Sequence, residues 1–240
     1  MNTNVNLDAH FSVLGFLGTG LLLFVAALVI LFLLLRGRRA AAGNVFVGAV
    51  GLVVVYTFAL LIFSLASTEQ VLARGAEKHF CEVDCHLAYS ITDVRQTKTL
   101  GPPTHEATAQ GMFYVVTVKT RFDEQTIAPW RGNPPLTPNS RVARVYDAQG
   151  RAFDPSPAGT RALELSAGTG MPFTTPLRPG ESYTTELVFD LPTDVTAPRL
   201  LIHEGEAVTH FIIGHENSLL HKKTSFQLNA QAEQTVRASD

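Results

Sequence analysis

The sequence predicts an N-terminal transmembrane α-hairpin of two helices followed by an all-β sandwich. Three observations carry that prediction. Two long runs near the N-terminus have no charged residue; three arginines sit between them; and the remainder alternates short β-branched or aromatic segments with Gly and Pro turns.

Phe11 to Leu35 and Ala40 to Thr68 are both free of charge. Each run exceeds the roughly 20 residues needed to cross the hydrocarbon core of a bilayer. A soluble helix normally keeps one polar face, and neither run has one. The expected spans are about 11–35 and 42–67, within a membrane unit of residues 1–68. Residues 1–10 contain Asp8 but no Lys or Arg, which is not the basic start of a cleaved signal peptide, so the first helix is expected to be retained.

The turn Arg36-Gly-Arg-Arg39 is the most basic flank, and positive charge favours the cytoplasmic side. This predicts a two-pass protein of the inner (plasma) membrane, with its N-terminus and everything after the second helix outside the cytoplasm. The lipid bilayer is then one partner, and other membrane or extracytoplasmic proteins are further candidates. The net charge is −2 with signs interspersed, giving no basic stripe for phosphates; no nucleic-acid partner is expected.

Residues 69–86 are read as a stalk, a short helical extension ending in a Cys/His segment. Strand candidates follow at Leu87–Val94, Phe113–Phe122, Arg141–Tyr146, Tyr183–Phe189, Arg199–His203, Thr209–Ile213 and Thr224–Leu228. Gly101-Pro-Pro103, Gly132-Asn-Pro-Pro135, Asp147-Ala-Gln-Gly150 and Pro179-Gly180 supply turns between them. Between 114 and 122, Tyr114, Val116, Val118, Thr120 and Phe122 share one face, the alternation of a half-buried strand. With few helical patterns after residue 80, the covering layer is expected to be a second sheet, in an immunoglobulin-like arrangement over residues 87–228. Residues 229–240 are expected to be a disordered tail.

Tyr114-Val-Val-Thr-Val-Lys119, Val145-Tyr-Asp147 with Gly150, Leu177-Arg-Pro-Gly-Glu181, Leu187-Val-Phe-Asp-Leu-Pro192 and His221-Lys-Lys-Thr224 resemble uncharacterised bacterial immunoglobulin-like domains of membrane-anchored extracytoplasmic proteins. The resemblance covers roughly residues 87 to 228. It implies a fold and an export address, and no reaction.

Chemistry is densest at His79-Phe-Cys-Glu-Val-Asp-Cys-His86, which holds both cysteines of the chain. Thiolate and imidazole ligands suit copper or zinc better than magnesium or calcium, making Cys81, Cys85, His86 and His79 candidate metal ligands with copper as the expected ion. The alternative is a disulfide formed in an oxidising compartment, stapling a protein-interaction module without a metal. Either requires a turn, since residues four apart on a strand stand about 13 Å from each other.

Cys81-x3-Cys85, preceded by two helices and joined to an outward β domain, resembles subunit II of haem-copper oxidases. That resemblance implies copper. The segment departs from that family's loop in having its histidine adjacent to the second cysteine and Ser90 near the place of the ligating methionine. The spacing is also an expanded form of a haem attachment motif, but strand-like residues follow it. A redox dithiol is disfavoured by Glu82 and Asp84, whose charges would raise a thiol pKa.

His203, His210, His215 and His221 form a second concentration, of which one or two could meet the cysteines in space. Trp130 is expected to cover the sandwich edge, the alternative being that it anchors a partner. No Gly-x-Ser-x-Gly, His-Glu-x-x-His or phosphate-binding glycine run occurs, so binding rather than catalysis is expected.

Overall fold

The computed structural model describes residues 2–81, 85–128 and 130–229. Two long apolar helices, each long enough to span a membrane, form the N-terminal hairpin: α1 (Ala9–Leu35) and α2 (Arg39–Leu65). Asp8 caps α1 by accepting the backbone N–H of His10 at 3.0 Å. Gly37, at φ +70°, turns the chain between the helices. Leu17, Leu21, Phe24 and Leu28 on α1, and Val47, Val54 and Phe58 on α2, are exposed within the chain. Such apolar surface is stable facing lipid rather than water.

The hairpin is built into the β domain at both ends. Strand β1 (Asn2–Thr3), ahead of α1, pairs in parallel with β3 (Lys78–Phe80). Strand β2 (Gln70–Leu72), just after α2, pairs in parallel with β10 (Thr224–Gln227) in the other sheet. The expected stalk is therefore not a helical extension. Its residues Lys78, His79 and Phe80 are buried, which a solvent-bridging stalk would not allow.

The remaining strands are β4 (Leu87–Leu100), β5 (Ala107–Phe122), β6 (Arg141–Tyr146), β7 (Ala152–Phe153), β8 (Ser182–Leu191) and β9 (Arg199–Glu204). One sheet runs β1-β3-β4-β5-β8 and the other β2-β10-β9-β6-β7, forming a two-sheet, sandwich-like domain. The inter-sheet core contains Tyr89, Ile91, Val116, Val118, Phe122, Val145, Phe189, Ile202 and Phe226. As the alternation predicts, Val116, Val118, Thr120 and Phe122 point inward.

The opposite face of β5 is also apolar at Phe113 and Val115, because a helix covers it. This helix, α3 (Pro157–Ser166), occupies a stretch expected to be connection. Ser156 accepts the Gly159 N–H at 3.2 Å, and Pro157 opens the helix. Ala162 and Leu163 pack on Phe113, Val115 and Val188. A Cβ at Gly159 would stand 2.6 Å from Val188 Cγ1, so only glycine permits this approach without displacement.

Thr209–Ile213, expected as a strand, is instead a 3-10 turn over Ala207–Phe211. Its Phe211 carbonyl accepts the Tyr56 hydroxyl at 2.6 Å, joining the turn to the side of α2. The predicted tail from residue 230 onward lies outside the described residues.

Candidate functional site at the hairpin end

Cys81 and Cys85 are joined by a disulfide, with their Cα atoms 4.0 Å apart. The chain thus makes the turn that a four-residue separation demands, but both sulfurs are bonded to each other and neither is a thiolate ligand in this form. The other two expected metal ligands have different engagements. His86 stacks on Phe122 with centroids 4.7 Å apart. His79 Nε2 is 3.2 Å from Asp123 Oδ2. Glu82 and Asp84 of the same segment lie outside the described residues.

Glu77, His79 and Asp123 offer ligand atoms within 4.8 Å of one another, close enough to hold a metal ion. A cation already lies among them. Arg121 donates to both carboxylate oxygens of Glu77 at 2.8 Å and lies 3.2 Å from Asp123 Oδ2. The hydrogen bond from Arg121 holds the Glu77 carboxyl below its ordinary pKa. Burial would raise Asp123, yet bonds from Arg121, the Gln125 N–H and His79 keep it low.

Sequence reasoning missed a second polar cluster. Lys78 Nζ is fully buried and donates to Glu216 at 2.7 and 2.8 Å, and to the carbonyls of Ile202 and Thr224 at 2.8 and 2.9 Å. Burial draws the Lys78 pKa down while Glu216 opposes that shift. Glu216 also accepts the Thr224 N–H at 2.7 Å. No local pattern links residues 138 apart in sequence, so the pair was invisible until the fold brought it together.

Beside it, Asn4 ties the N-terminal segment to the sandwich. Its Oδ1 accepts the Cys81 N–H at 2.8 Å, and its amide nitrogen is 3.4 Å from Glu204 Oε1. His215 Nδ1 accepts the Asn217 N–H at 3.0 Å, which assigns the ring proton to Nε2, 3.1 Å from Glu204 Oε2. Arg141 Nη1 lies 3.5 Å from Glu204, and its guanidinium sits 4.3 Å from the Phe80 ring centroid. Burial would raise Glu204, but the His215 hydrogen bond and the nearby charges of Arg141 and Lys78 hold it below the usual range.

Glu204 and His215 border a cavity of about 250 Å³ at the seam between α1 and the sandwich. Val5, Ala9, Val13, Val208 and Ile212 form much of its wall, while Glu204, Glu206 and His215 add polar groups. Cys81 lines it too, so His215 from the second histidine concentration does share a site with a cysteine. Glu206 Oε1 accepts the Ser140 hydroxyl at 2.8 Å; its Oε2 is buried with no partner among the described residues. Trp130 does not cover the sandwich edge as expected, being 87% exposed.

No protein-family model and no curated protein matches the chain, and neither the immunoglobulin-like nor the oxidase resemblance is shown. Two solved structures are similar. A conserved hypothetical protein from Bacillus anthracis aligns at 13% identity and a TM-score of 0.37, over 49% of this chain and 81% of its own. The secreted protein MPT63 from Mycobacterium tuberculosis aligns at 12% identity and a TM-score of 0.39, over 68% of this chain and 99% of its own.

Proposed function

We propose that this chain is a two-pass membrane protein that presents a disulfide-closed β-sandwich at the extracytoplasmic bilayer surface and acts there as a binding module. The observation that carries this reading is the double attachment of the hairpin. Residues before α1 enter one sheet through β1, and residues after α2 enter the other through β2. A sandwich on a flexible tether samples many orientations. One locked to both helix ends holds a constant face toward the membrane, which suits recognition of another membrane or extracytoplasmic component.

The arginines of the turn support the outward placement, since they lie at the hairpin end remote from the sandwich. The disulfide supports it as well, because such bonds persist in oxidising compartments. Copper handling through Cys81, Cys85, His86 and His79 requires a reduced chain.

Single cysteines introduced by Arg38→Cys and Glu106→Cys, reacted with a membrane-impermeant maleimide on spheroplasts, test the placement. Labelling at position 106 and protection at 38 is expected; the reverse pattern sinks the outward reading. On purified full-length protein, Cu(I) added with and without reductant tests the module's chemistry. Stoichiometric copper on the reduced chain, lost in Cys85→Ser, would replace the metal-free module with copper handling.

A further inference from the structure

The seam cavity has walls of two origins. Ala9 and Val13 come from the first turns of α1, a membrane-spanning helix, and Val208 and Ile212 come from the segment following β9. The bond from Tyr56 to Phe211 fixes the depth of that segment. Tyr56 lies nine residues before the end of α2, or roughly 13 Å down the helix axis at 1.5 Å per residue. Each 27-residue helix is roughly 40 Å long and exceeds the hydrocarbon thickness by about 10 Å. With that excess divided between the two helix ends, Phe211 lies near the outer edge of the hydrocarbon. Phe211 is 60% exposed and Val208 is 47% exposed, an arrangement suited to contact with lipid.

The cavity's polar groups narrow the occupant. Glu204 is matched by His215 and Arg141. Glu206, in the wall of the same cavity, retains a buried carboxylate oxygen without a donor among the described residues. Such an oxygen is satisfied by a positively charged N–H group. A quaternary ammonium brings charge without an N–H. At about 250 Å³ the cavity exceeds one that admits benzene yet falls short of a whole-ligand pocket.

We propose that the seam cavity receives one acyl-chain segment of a bilayer phospholipid whose primary-amine head group donates to Glu206. The sandwich would then be seated on an aminophospholipid of its own outer leaflet. This rests on the outward-facing reading above and names a ligand for that face.

The test uses the full-length chain in mild detergent and native mass spectrometry. Phosphatidylethanolamine, phosphatidylcholine and phosphatidylglycerol of identical chains are titrated in turn. One phosphatidylethanolamine retained per chain in preference to the others is expected. Val208→Trp, which fills the cavity from an exposed position, should remove the retained lipid. Glu206→Gln should keep a lipid while erasing the head-group preference. Equal retention of all three lipids by the wild type, or retention unchanged in Val208→Trp, overturns the proposal. The maleimide labelling is run on the same protein. Normal labelling without a retained lipid sinks this inference alone, whereas reversed labelling sinks the outward-facing reading.

Discussion

The two regions that flank the inter-sheet core are closed in opposite ways. Under α3, Phe113, Val115, Leu163 and Val188 pack without a charged group among them. At the seam with the hairpin, Lys78, Arg141, Glu204 and Glu216 are all buried and held in pairs. Apolar packing stabilises by removing area from water, and errors there are errors of volume. Buried ion pairs contribute little net stability because each charge must first leave water, and errors there leave a charge without its partner. A fold that needed only stability could have used the α3 solution twice. The costly solution is concentrated at the hairpin end, where Glu204 also lines the cavity.

Breaking one ion pair should therefore cost at least as much as truncating Leu163 under α3. Lys78→Met leaves Glu216 buried without its cation and should cost about 3–5 kcal/mol, read as a lowered urea midpoint of the full chain in nanodiscs. Adding Glu216→Leu should recover most of the loss. A single-mutant cost below about 1 kcal/mol would show that the pair is not desolvated as described. On the other side, Leu163→Ala removes a side chain that is 1% exposed and should cost roughly 3 kcal/mol by leaving a cavity. No second substitution of charge should restore it, which separates the two mechanisms.

The disulfide belongs to the seam but acts through the unfolded chain. Closing so short a loop removes about 2 kcal/mol worth of unfolded-state entropy in the loop-closure treatment. Cys81→Ser with Cys85→Ser should lower stability by about that amount. Because Cys81 lines the cavity and its N–H binds Asn4, the same variant should speed hydrogen exchange of residues 2–6. A stability loss without faster exchange there would separate the disulfide from the N-terminal segment.

Local pattern made the hairpin and most long strands legible, since a charge-free run and a period of two are properties of neighbouring residues. β5 read as a half-buried strand, yet Phe113 and Val115 on its other face are buried under α3, a helix signalled only by Ser156 and Pro157 at its start. Residues 69–80 read as a polar stalk because the partners of their charges lie far along the chain. Lys78 needs Glu216, and Glu77 needs Arg121. The cysteine spacing admitted both a metal and a disulfide, and only the backbone turn between Cys81 and Cys85 distinguishes the form present. The cavity was illegible for the same reason as the ion pairs, its walls coming from α1 and from a segment nearly two hundred residues later, whose bond to Asn4 is one of separation 200.

The smallest expected effect lies at the rim of the seam, where charge is paired but still meets water. Arg121 and Glu77 side chains are 29% and 32% exposed, so solvent screens their fork and Arg121→Gln should cost under about 1 kcal/mol at neutral pH. Its pH dependence carries the sharper signature. Glu77 and Asp123 both have folded-state pKa values below their ordinary ones. Their contribution is therefore present above the usual carboxylate range and is lost as pH falls through the lower, folded values. Once both carboxyls are protonated, Arg121 has no anion to hold, and the wild type should converge on Arg121→Gln as pH falls below those lowered, folded-state values. A stability difference that persists unchanged into acid would mean that Arg121 acts there through packing on Glu77 and Asp123 rather than through charge, placing the rim with the α3 region in mechanism.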